Sequence, residues 1–501
     1  MKIKRVLIAN RGEIAVRIIS TAKKMGIETV VMRTESEPAA LYTELADFIC
    51  EIDEGVAGGH RFLDIESVIG AAHKTGCDAI HPGYGFLSEN AYFAHKCQEQ
   101  GVIFIGPPPD AIYKMGNKTI ARDIAISAGI TVARGSQGNI SHHEEAERVA
   151  ATIGYPVIIK AASGGGGRGM RIVRSEAEME RMFNMASSEA AKAFNDPSVF
   201  IEKYIDSPRH IEFQILGDHH GNIIHLGERE CSIQRKHQKL LEEAPSEALN
   251  EELRSEIGTL ATEIARAVNY HSAGTVEFLL DADSNYYFME VNTRIQVEHP
   301  VTEMVTGIDI VELQFRIAEG EKLPIEQNDV RIEGHAIECR INAEDVQAGF
   351  APDPGRVERL NLPTANHIRV DTGVTEGSVI VPGYDSMIAK LIVKGDNRND
   401  AVRRLKLALD KVWIKGVKTT IPLFRMLVRN RDFIGGHYYT DFLEKEVTQY
   451  HYNSYYEEKI AAWLAVRLFI RENWGDETDR YDEGESGQVS PWLLNKRLRQ
   501  F

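Results

Sequence analysis

The segment that most constrains the fold is residues 289–300, Met-Glu-Val-Asn-Thr-Arg-Ile-Gln-Val-Glu-His-Pro. On an extended strand successive side chains point to opposite faces, so this segment would have one apolar edge and one polar edge. The polar edge would hold Glu290, Asn292, Arg294, Gln296 and Glu298. Alternation alone most often indicates a half-buried surface strand, so the neighbouring sequence has to decide whether these groups form a site.

The residues before this segment predict a partner strand. Residues 275–281 also have a strand pattern, and a turn closed on residues 283–284 would form a hairpin that sets Glu277 opposite Glu290. Two carboxylates about 5 Å apart repel by roughly 3 kcal/mol at an effective dielectric of about 20, so a folded protein needs a cation there. Carboxylate oxygens beside the amide of Asn292 suit Mg²⁺ or Mn²⁺ that bridges to phosphates. The hairpin therefore predicts a metal–nucleotide site.

Composition limits the class of protein. The 501 residues are enough for several domains, and a formal net charge of −16 without a basic stripe argues against nucleic acid as a partner. No uncharged run approaches the length of a membrane span, and residues 1–9 are typical of a first strand and not of a signal peptide. The five cysteines form no CxxC pair, which favours reduced thiols and a cytoplasmic protein.

The first 115 residues alternate between strand and helix patterns. We expect an amphipathic helix at 14–25 and buried strands at 5–9, 28–32, 79–81 and 102–106. This order predicts a doubly wound, Rossmann-like α/β domain that lacks the glycine fingerprint of a dinucleotide site. Residues 81–90 follow a strand at the edge where such sheets place ligands, although a plain loop is equally compatible.

A run of glycines marks the second region. Residues 164–167 are four glycines, with a strand pattern before them that ends near Lys160 and another after them at 170–174. A dinucleotide fold needs a helix after its glycines and a P-loop needs Gly-Lys-Ser/Thr, so a flap between two strands fits better. The backbone N–H groups of such a flap can close over phosphates, with Lys160 as a point charge. The alternative is a flexible linker.

Three later segments carry weaker signals. Residues 199–205 predict a strand at a domain joint that could hold an adenine and a ribose. Residues 228–239 gather cations beside polar amides, a pattern typical of an anion site or of a solvated loop. We expect a separate α+β domain from about residue 334 to 447, and then a tail with a helix at 457–473 that docks on a partner subunit or packs on its own domain.

Five strings together resemble one family. They are IANRGEIA (8–15), HPGYGFLSEN (81–90), GGGGRGMR (164–171), NTRIQVEHPVTE (292–303) and ECRINAED (338–345), in that family's order. From Lys4 to about Glu446 the chain resembles the biotin carboxylases, the ATP-grasp subunits of biotin-dependent carboxylases. The resemblance implies a Rossmann-like domain (1–115), an ATP-grasp domain (116–334) with a mobile glycine-rich lid at about 131–205, a C-terminal α+β biotin carboxylase domain (335–447) and a helical or flexible tail (448–501).

The resemblance also implies roles for single residues of this sequence. The Mg²⁺ or Mn²⁺ ligands would be Glu277, Glu290 and Asn292. The ATP-binding residues would be Lys118, Lys160, Gly165, Gly166, Gly167, Glu202, Lys203, Ile205, His210, Gln234, His237, Glu277 and Glu290. Bicarbonate would be bound by Lys239, Arg294, Gln296 and Val297, and biotin by Tyr84 and Arg340. Glu298 would be the general base, and the catalytic set would be completed by Lys239, Arg294 and Arg340.

The implied activity is ATP- and bicarbonate-dependent carboxylation of biotin through carboxyphosphate, as the first half-reaction of an acyl-CoA or pyruvate carboxylase. Nothing in the chain resembles the biotin-accepting Met-Lys-Met hairpin, so the implied partners are a biotin carrier in trans, a carboxyltransferase subunit and a second copy in a homodimer. Lys236 stands where relatives carry a second arginine, which would weaken a bidentate contact. Two alternatives stay open: an ATP-grasp ligase that joins a carboxylate to an amine, and a catalytically silent ATP-binding scaffold.

Overall fold

The computed structural model describes residues 2–34, 38, 40–52, 61–136, 138–162, 170–194, 196–448 and 462–469. The chain divides into two compact units, Met1–Val447 and Thr448–Phe501. In the second unit residues 462–469 are helical and exposed, and the rest of the predicted tail lies outside the described residues. No described helix is both long enough and apolar enough to cross a membrane.

The first unit begins with a parallel sheet of five strands in the order β3-β2-β1-β4-β5. The strands are β1 (Arg5–Ile8), β2 (Glu28–Thr34), β3 (Phe48–Ile52), β4 (Ala79–His81) and β5 (Ile103–Phe104). The helices are α1 (Gly12–Lys24), α2 (Leu41–Leu45), α3 (Ile65–Thr75), α4 (Ala91–Glu99) and α5 (Pro109–Gly116). The continuous apolar run in β1 is buried, as expected for a strand covered on both faces. The predicted doubly wound fold is confirmed.

The strand order reverses between β1 and β4, and ligands of such sheets bind at the carboxyl ends of the strands on either side of a reversal. Residues 81–90 leave β4 at this point. Asn10, just after β1, donates from Nδ2 to the carbonyls of Pro82 and Tyr84 at 2.7 Å each. The first sheet therefore fixes the position of Tyr84.

A small antiparallel sheet, β7-β6-β8, follows in the next part of the chain. The elements are α6 (Lys118–Ser127), α7 (His143–Ile153), β6 (Val157–Ala161), β7 (Arg171–Val173), α8 (Glu176–Phe194) and β8 (Val199–Lys203). The glycine-rich segment joins the two antiparallel strands β6 and β7, as predicted for a flap. The predicted ATP contacts Gly165, Gly166 and Gly167 lie outside the described residues.

The largest element is an eight-stranded sheet that runs through the central and C-terminal parts of the first unit. Its central elements are β9 (Arg209–Gly217), β10 (Ile223–Arg235), β11 (Gln238–Ala244), α9 (Glu251–Ala267), β12 (Ser272–Leu280), β13 (Tyr286–Asn292), α10 (His299–Thr306), α11 (Ile310–Ala318) and β14 (His335–Asn342). Short strands follow: β15 (Glu344–Asp345), β16 (Ala351–Pro352), β17 (Gly355–Arg356), β18 (Arg359–Asn361), β19 (Ile368–Thr372), β20 (Val379–Ile380), β21 (Met387–Gly395) and β22 (Trp413–Lys415). The last helices are α12 (Arg398–Lys411), α13 (Ile421–Leu427), α14 (Arg431–Ile434) and α15 (Phe442–Thr448).

The order of this sheet is β13-β12-β9-β10-β11-β14-β21-β19, so it does not stop at the boundary expected near residue 334. β11 pairs with β14 in a register that sets Leu241 opposite Cys339. One hydrophobic core joins Ile233 of β10 to Leu391 of β21. A shared sheet and core hold the central and C-terminal parts together.

The hairpin of β12 and β13 has the predicted pairing at its functional end, where Glu277 lies opposite Glu290. Near the turn the register differs by one residue, because Leu280 pairs with Tyr286, and a bulge between Glu277 and Phe278 restores it. The expectation that the extended alternation runs on through Glu298 was wrong, since β13 ends at Asn292 and α10 begins at His299. Pro300 has no N–H for a sheet ladder and suits the first turn of a helix.

The interpretation of residues 228–239 as a solvated loop is also wrong. These residues form the end of β10 and the start of β11, joined by a tight turn at Lys236 and His237. Both turn residues have positive φ, +48° and +64°, which matches the twist of a two-residue hairpin. The chain therefore brings Gln234 and Lys239 side by side on neighbouring strands.

Candidate functional site

A cleft of about 1280 Å³ lies within the first unit. It is lined by every predicted site residue that the structure describes: Tyr84, Lys118, Lys160, Glu202, Lys203, Ile205, His210, Gln234, His237, Lys239, Glu277, Glu290, Asn292, Arg294, Gln296, Val297, Glu298 and Arg340. These residues come from strands of two sheets, from helix α6 and from loops between positions 84 and 340. The fold thus brings widely spaced residues to one place.

Lys239 is the centre of the charged network in this cleft. Its Nζ donates to Glu277 Oε1 at 3.0 Å and Glu298 Oε1 at 2.8 Å, and it also bonds Glu212. Burial opposes its charged form, but the three carboxylates raise the pKa of Lys239 well above its usual value. The lysine is therefore a fixed positive charge at the floor of the cleft.

Glu298 is fully buried and lies between two cations. Oε1 accepts from Lys239, and Oε2 accepts from Arg340 Nη2 at 2.9 Å. Burial alone would raise the pKa of Glu298, but Lys239 and Arg340 hold it below the usual value for a glutamate. The same Arg340 nitrogen lies 2.5 Å from Glu242 Oε1. Glu298 is thus an ionised carboxylate poised as a proton acceptor.

A third cation, Arg294, lies near this carboxylate on the loop after β13. Arg294 donates from Nε to Glu89 Oε2 at 2.9 Å and from Nη1 to Gln296 Oε1 at 2.8 Å. Its Nη2 reaches Asn292 Oδ1 at 3.3 Å. With Lys239 it gives the cleft a pair of positive groups suited to a small planar anion.

The other end of the cleft contains three lysines. Lys160 Nζ donates to Glu202 Oε2 at 2.6 Å, and Arg122 holds the other oxygen of Glu202 at 2.8 Å. Lys203 donates to the carbonyls of residues 154 and 155 at 2.9 and 3.0 Å. Lys118 lies 3.6 Å from Glu290. Of these, Lys118 and Lys160 fit a polyphosphate at the base of the glycine-rich flap.

Imidazoles and an amide line the middle of the cleft. His210 Nε2 lies 2.9 Å from Glu277 Oε2, and its Nδ1 lies 3.5 Å from the Gln234 amide nitrogen. Burial lowers the pKa of His237, which keeps that ring neutral near pH 7. Ile205 gives an apolar wall beside them. This mixture of apolar surface and neutral polar groups is suited to a purine nucleotide.

The donor set around the hairpin fits a hard divalent cation. Glu277 and Glu290 are cross-strand neighbours, and Asn292 lies two residues after Glu290 on β13. Among the described residues, ligand atoms of His210, Glu212 and Glu277 also lie within 4.8 Å of one another. Lys239 is bonded to two of these three residues, so they form an ion-pair cluster. Glu277, Glu290 and Asn292 are the better Mg²⁺ or Mn²⁺ candidates because they offer oxygen ligands.

Sequence reasoning missed several charged residues that contact the lining of this cleft from outside it: Glu89, Arg122, Glu212, Glu242 and Lys390. One of them had a signal: Glu212 alternates with His210 along β9, so a predicted His210 implies Glu212 on the same face. The others come from distant elements. Their positions depend on strand pairings that the sequence pattern does not specify.

The fold and the cleft define an ATP-grasp enzyme with three biotin carboxylase regions. Family models match residues 2–112 (biotin carboxylase, N-terminal domain), 117–326 (carbamoyl-phosphate synthase L chain, ATP binding domain) and 338–445 (biotin carboxylase C-terminal domain). Biotin carboxylase 1 of Bacillus subtilis is 51% identical over 443 residues, which cover 88% of this chain and 98% of that protein. The chain belongs to the biotin carboxylase family.

Solved structures agree with this assignment. The biotin carboxylase domain dimer of Hydrogenobacter thermophilus 2-oxoglutarate carboxylase, in complex with MgADP, ADP and bicarbonate, is 48% identical with a TM-score of 0.87. That match covers 90% of this chain and all of the other. A biotin carboxylase–β,γ-ATP complex from Campylobacter jejuni is 44% identical with a TM-score of 0.86, over 89% of this chain and 99% of that one.

A third relative extends into the tail. The methylcrotonoyl-CoA carboxylase subunit alpha of Rattus norvegicus is 47% identical over 502 aligned residues, which cover 99% of this chain and 69% of that protein. The Bacillus subtilis alignment covers 88% of this chain, and the C-terminal family model ends at residue 445. The unit Thr448–Phe501 is therefore a feature that this chain shares with an acyl-CoA carboxylase subunit.

Proposed function

We propose that this chain carboxylates biotin on a separate carrier protein with ATP and bicarbonate, as the first half-reaction of a multi-subunit acyl-CoA or pyruvate carboxylase. The observation that carries the proposal is Glu298, a buried carboxylate kept ionised between Lys239 and Arg340 in a cleft that also holds phosphate-binding groups. Family membership and the MgADP and bicarbonate bound by the Hydrogenobacter relative support it.

ATP would lie at the lysine-rich end of the cleft. We assign its phosphates to Lys118 and Lys160 and to the glycines at 165–167. We assign its adenosine to side chains that line the same cleft: Glu202, Lys203, Ile205, His210, Gln234 and His237. Glu277, Glu290 and Asn292 would hold Mg²⁺ or Mn²⁺, which supplies charge neutralisation at the β- and γ-phosphates. The lysines stabilise the negative charge that develops as the γ-phosphoryl group is transferred.

Bicarbonate would bind beside Glu298, with Lys239, Arg294, Gln296 and the main chain of Val297 as its contacts. Glu298 removes the bicarbonate proton, which makes the anion nucleophilic enough to attack the γ-phosphate and give carboxyphosphate and ADP. Glu298 is available to accept that proton because Lys239 and Arg340 keep it ionised. A closed flap would exclude water from the intermediate.

Biotin would bind between Tyr84 and Arg340. Carboxyphosphate decomposes to CO₂ and phosphate, the phosphate takes the biotin N1′ proton, and the nitrogen then attacks CO₂. Arg340 stabilises the enolate oxygen of the ureido ring, in the role of an oxyanion hole. Its guanidinium can serve both steps because it already contacts Glu298 and Glu242 with one nitrogen.

The assembly follows from the same family. We propose a biotin carboxyl carrier protein in trans, a carboxyltransferase subunit and a homodimer of this chain. The Hydrogenobacter relative is described as a dimer, which supports the last of these. All five cysteines are buried and unpaired, which supports a reducing compartment and thus the cytoplasm.

The test is bicarbonate-dependent ADP release by the purified chain with Mg-ATP, measured with and without free biotin. We expect biotin to stimulate turnover of the wild type and Glu298→Gln to lower it by about 10²-fold or more, because Gln cannot accept the proton. Turnover that ignores biotin would indicate the alternative ligase that joins a carboxylate to an amine. Absence of turnover even with a biotinylated carrier domain would indicate the silent scaffold.

A further inference from the structure

Two buried side chains hold the main chain on either side of Val297 in the loop that precedes α10. His299 bonds from Nδ1 to the carbonyl of Gln296 at 2.8 Å, and Lys390 Nζ donates to the carbonyl of Val297 at 2.9 Å. Both side chains are fully buried, and neither is among the residues that line the cleft. They therefore contact the loop on the side that faces away from the cleft.

These two bonds fix the directions of the neighbouring N–H groups. A trans peptide is planar, and its carbonyl and N–H point in opposite directions. The bond to the Gln296 carbonyl thus orients the Val297 N–H, and the bond to the Val297 carbonyl orients the N–H of Glu298. Within the described residues no hydrogen bond uses the Val297 N–H, although Val297 lines the cleft. That donor is available to a ligand.

The charge states of the two side chains suit this task. Burial and the nearby cations Lys390, Arg17 and Arg369 lower the pKa of His299 well below its usual value, so the ring is neutral and its Nδ1 carries the proton given to Gln296. Burial opposes the charge of Lys390, but Glu13, Glu338 and Asp371 raise the pKa of Lys390. Its Nζ lies 3.1 Å from Glu13 Oε2 and 3.8 Å from Asp371 Oδ2.

We propose that His299 and Lys390 are positioning residues that aim the Val297 N–H at bicarbonate and set the place of Glu298. Glu13 extends this support toward biotin, because it accepts a hydrogen bond from Tyr84 while it faces Lys390. The inference rests on the proposed function and adds to it the groups that shape the anion site. A misdirected N–H would weaken bicarbonate binding and leave ATP binding unchanged.

The experiment compares KM for bicarbonate with KM for ATP in His299→Leu, His299→Asn, Lys390→Met and the wild type. We expect His299→Leu and Lys390→Met to raise KM for bicarbonate by about tenfold or more, with KM for ATP within about twofold of wild type. His299→Asn should recover most of the bicarbonate affinity, because an amide nitrogen can occupy the position of Nδ1.

The matched control is His335→Leu. His335 is equally buried and bonds Glu243 at 2.7 Å, away from the loop, so its removal should lower the melting temperature without raising KM for bicarbonate. The inference alone is overturned if folded His299→Leu keeps the wild-type KM for bicarbonate, or if its KM for ATP rises as much as its KM for bicarbonate. A wild type without bicarbonate-dependent turnover would instead remove the proposed function, and the inference with it.

Discussion

A pair of buried carboxyl groups lies beneath Arg340, where Glu242 on β11 is the cross-strand neighbour of Glu338 on β14. Neither oxygen of Glu338 has a hydrogen-bond partner among the described residues. Burial raises the pKa of Glu338 well above the usual value and that of Glu242 to about 7. Ionising both of these neighbouring carboxyl groups would cost a large electrostatic repulsion, so the pair holds at least one proton at neutral pH.

This protonation predicts how Glu338→Gln changes stability with pH. A carboxyl whose native pKa lies above its unfolded value binds more protons when folded, so its contribution to the free energy of unfolding falls as pH rises above about 4.5. Glutamine has no such dependence. We expect the variant to melt at a higher temperature than the wild type at pH 8, and the difference to disappear toward pH 4. Calorimetry across this range measures it.

Glu243, next along β11, provides the opposite case. Arg398 donates to both of its oxygens and His335 to one. The Arg398 guanidinium and the hydrogen bond from His335 lower the pKa of Glu243 far below the usual value, against the effect of burial. Glu243→Gln should therefore lower the free energy of unfolding at pH 8 by about 3–5 kcal/mol. The loss should shrink only when acid protonates the wild-type carboxylate. If Glu338→Gln and Glu243→Gln changed the stability of the protein in the same direction at pH 8, this assignment would be contradicted.

Arg340 should separate the two steps of the reaction. We expect Arg340→Ala to lower biotin-stimulated ADP release by about 10²-fold, because the enolate oxygen loses its cation, while the biotin-independent rate falls less. Arg340→Lys should recover little, since Nη2 alone already contacts Glu298 and Glu242, and a single ammonium group has no second nitrogen to offer the enolate oxygen. Equal losses with and without biotin would show that Arg340 acts only through Glu298.

At the scale of elements, one close approach joins the first sheet to the large one. Gly373 follows β19, and a Cβ there would lie 2.6 Å from the main-chain nitrogen of Glu13 at the start of α1. Because main-chain atoms cannot rotate away, Gly373→Ala should lower the free energy of unfolding by about 1–3 kcal/mol. Chemical denaturation of the whole chain measures this.

The control for that substitution is Gly70 in α3. A Cβ at Gly70 meets nothing within 4 Å, so Gly70→Ala should raise the free energy of unfolding by about 0.5–1 kcal/mol through the helix preference of alanine. If Gly373→Ala proves as harmless as Gly70→Ala, α1 does not pack against the end of β19 as described.

The hairpin of β12 and β13 shows what the sequence predicts and where it stops. Alternation and turn residues predicted that Glu277 faces Glu290, because those signals are local. They did not predict the bulge that shifts the register near the turn. Glu242, Glu338 and Lys390 were missed for a similar reason: β11, β14 and β21 are far apart in sequence, and no local pattern pairs them. The remaining site residues were predicted from the resemblance to the family as a whole.

At the scale of the whole molecule, the described cleft belongs entirely to the first unit. Its lining ends at Glu444, and the C-terminal family model ends at residue 445. We therefore expect a chain that stops after Val447 to keep the wild-type melting temperature and biotin-dependent ADP release. Loss of either in the shortened chain would show that Thr448–Phe501 completes the catalytic unit. Differential scanning fluorimetry and the ADP assay measure both properties.

The measurement that tests the central claim most directly is transfer of label from [¹⁴C]bicarbonate to biotin by the purified chain. The account predicts ATP- and Mg²⁺-dependent formation of acid-labile carboxybiotin by the wild type, and a loss of about 10²-fold or more in Glu298→Gln. The account would be contradicted if ADP were released but no label reached biotin. It would also be contradicted if Glu298→Gln transferred label as well as the wild type does.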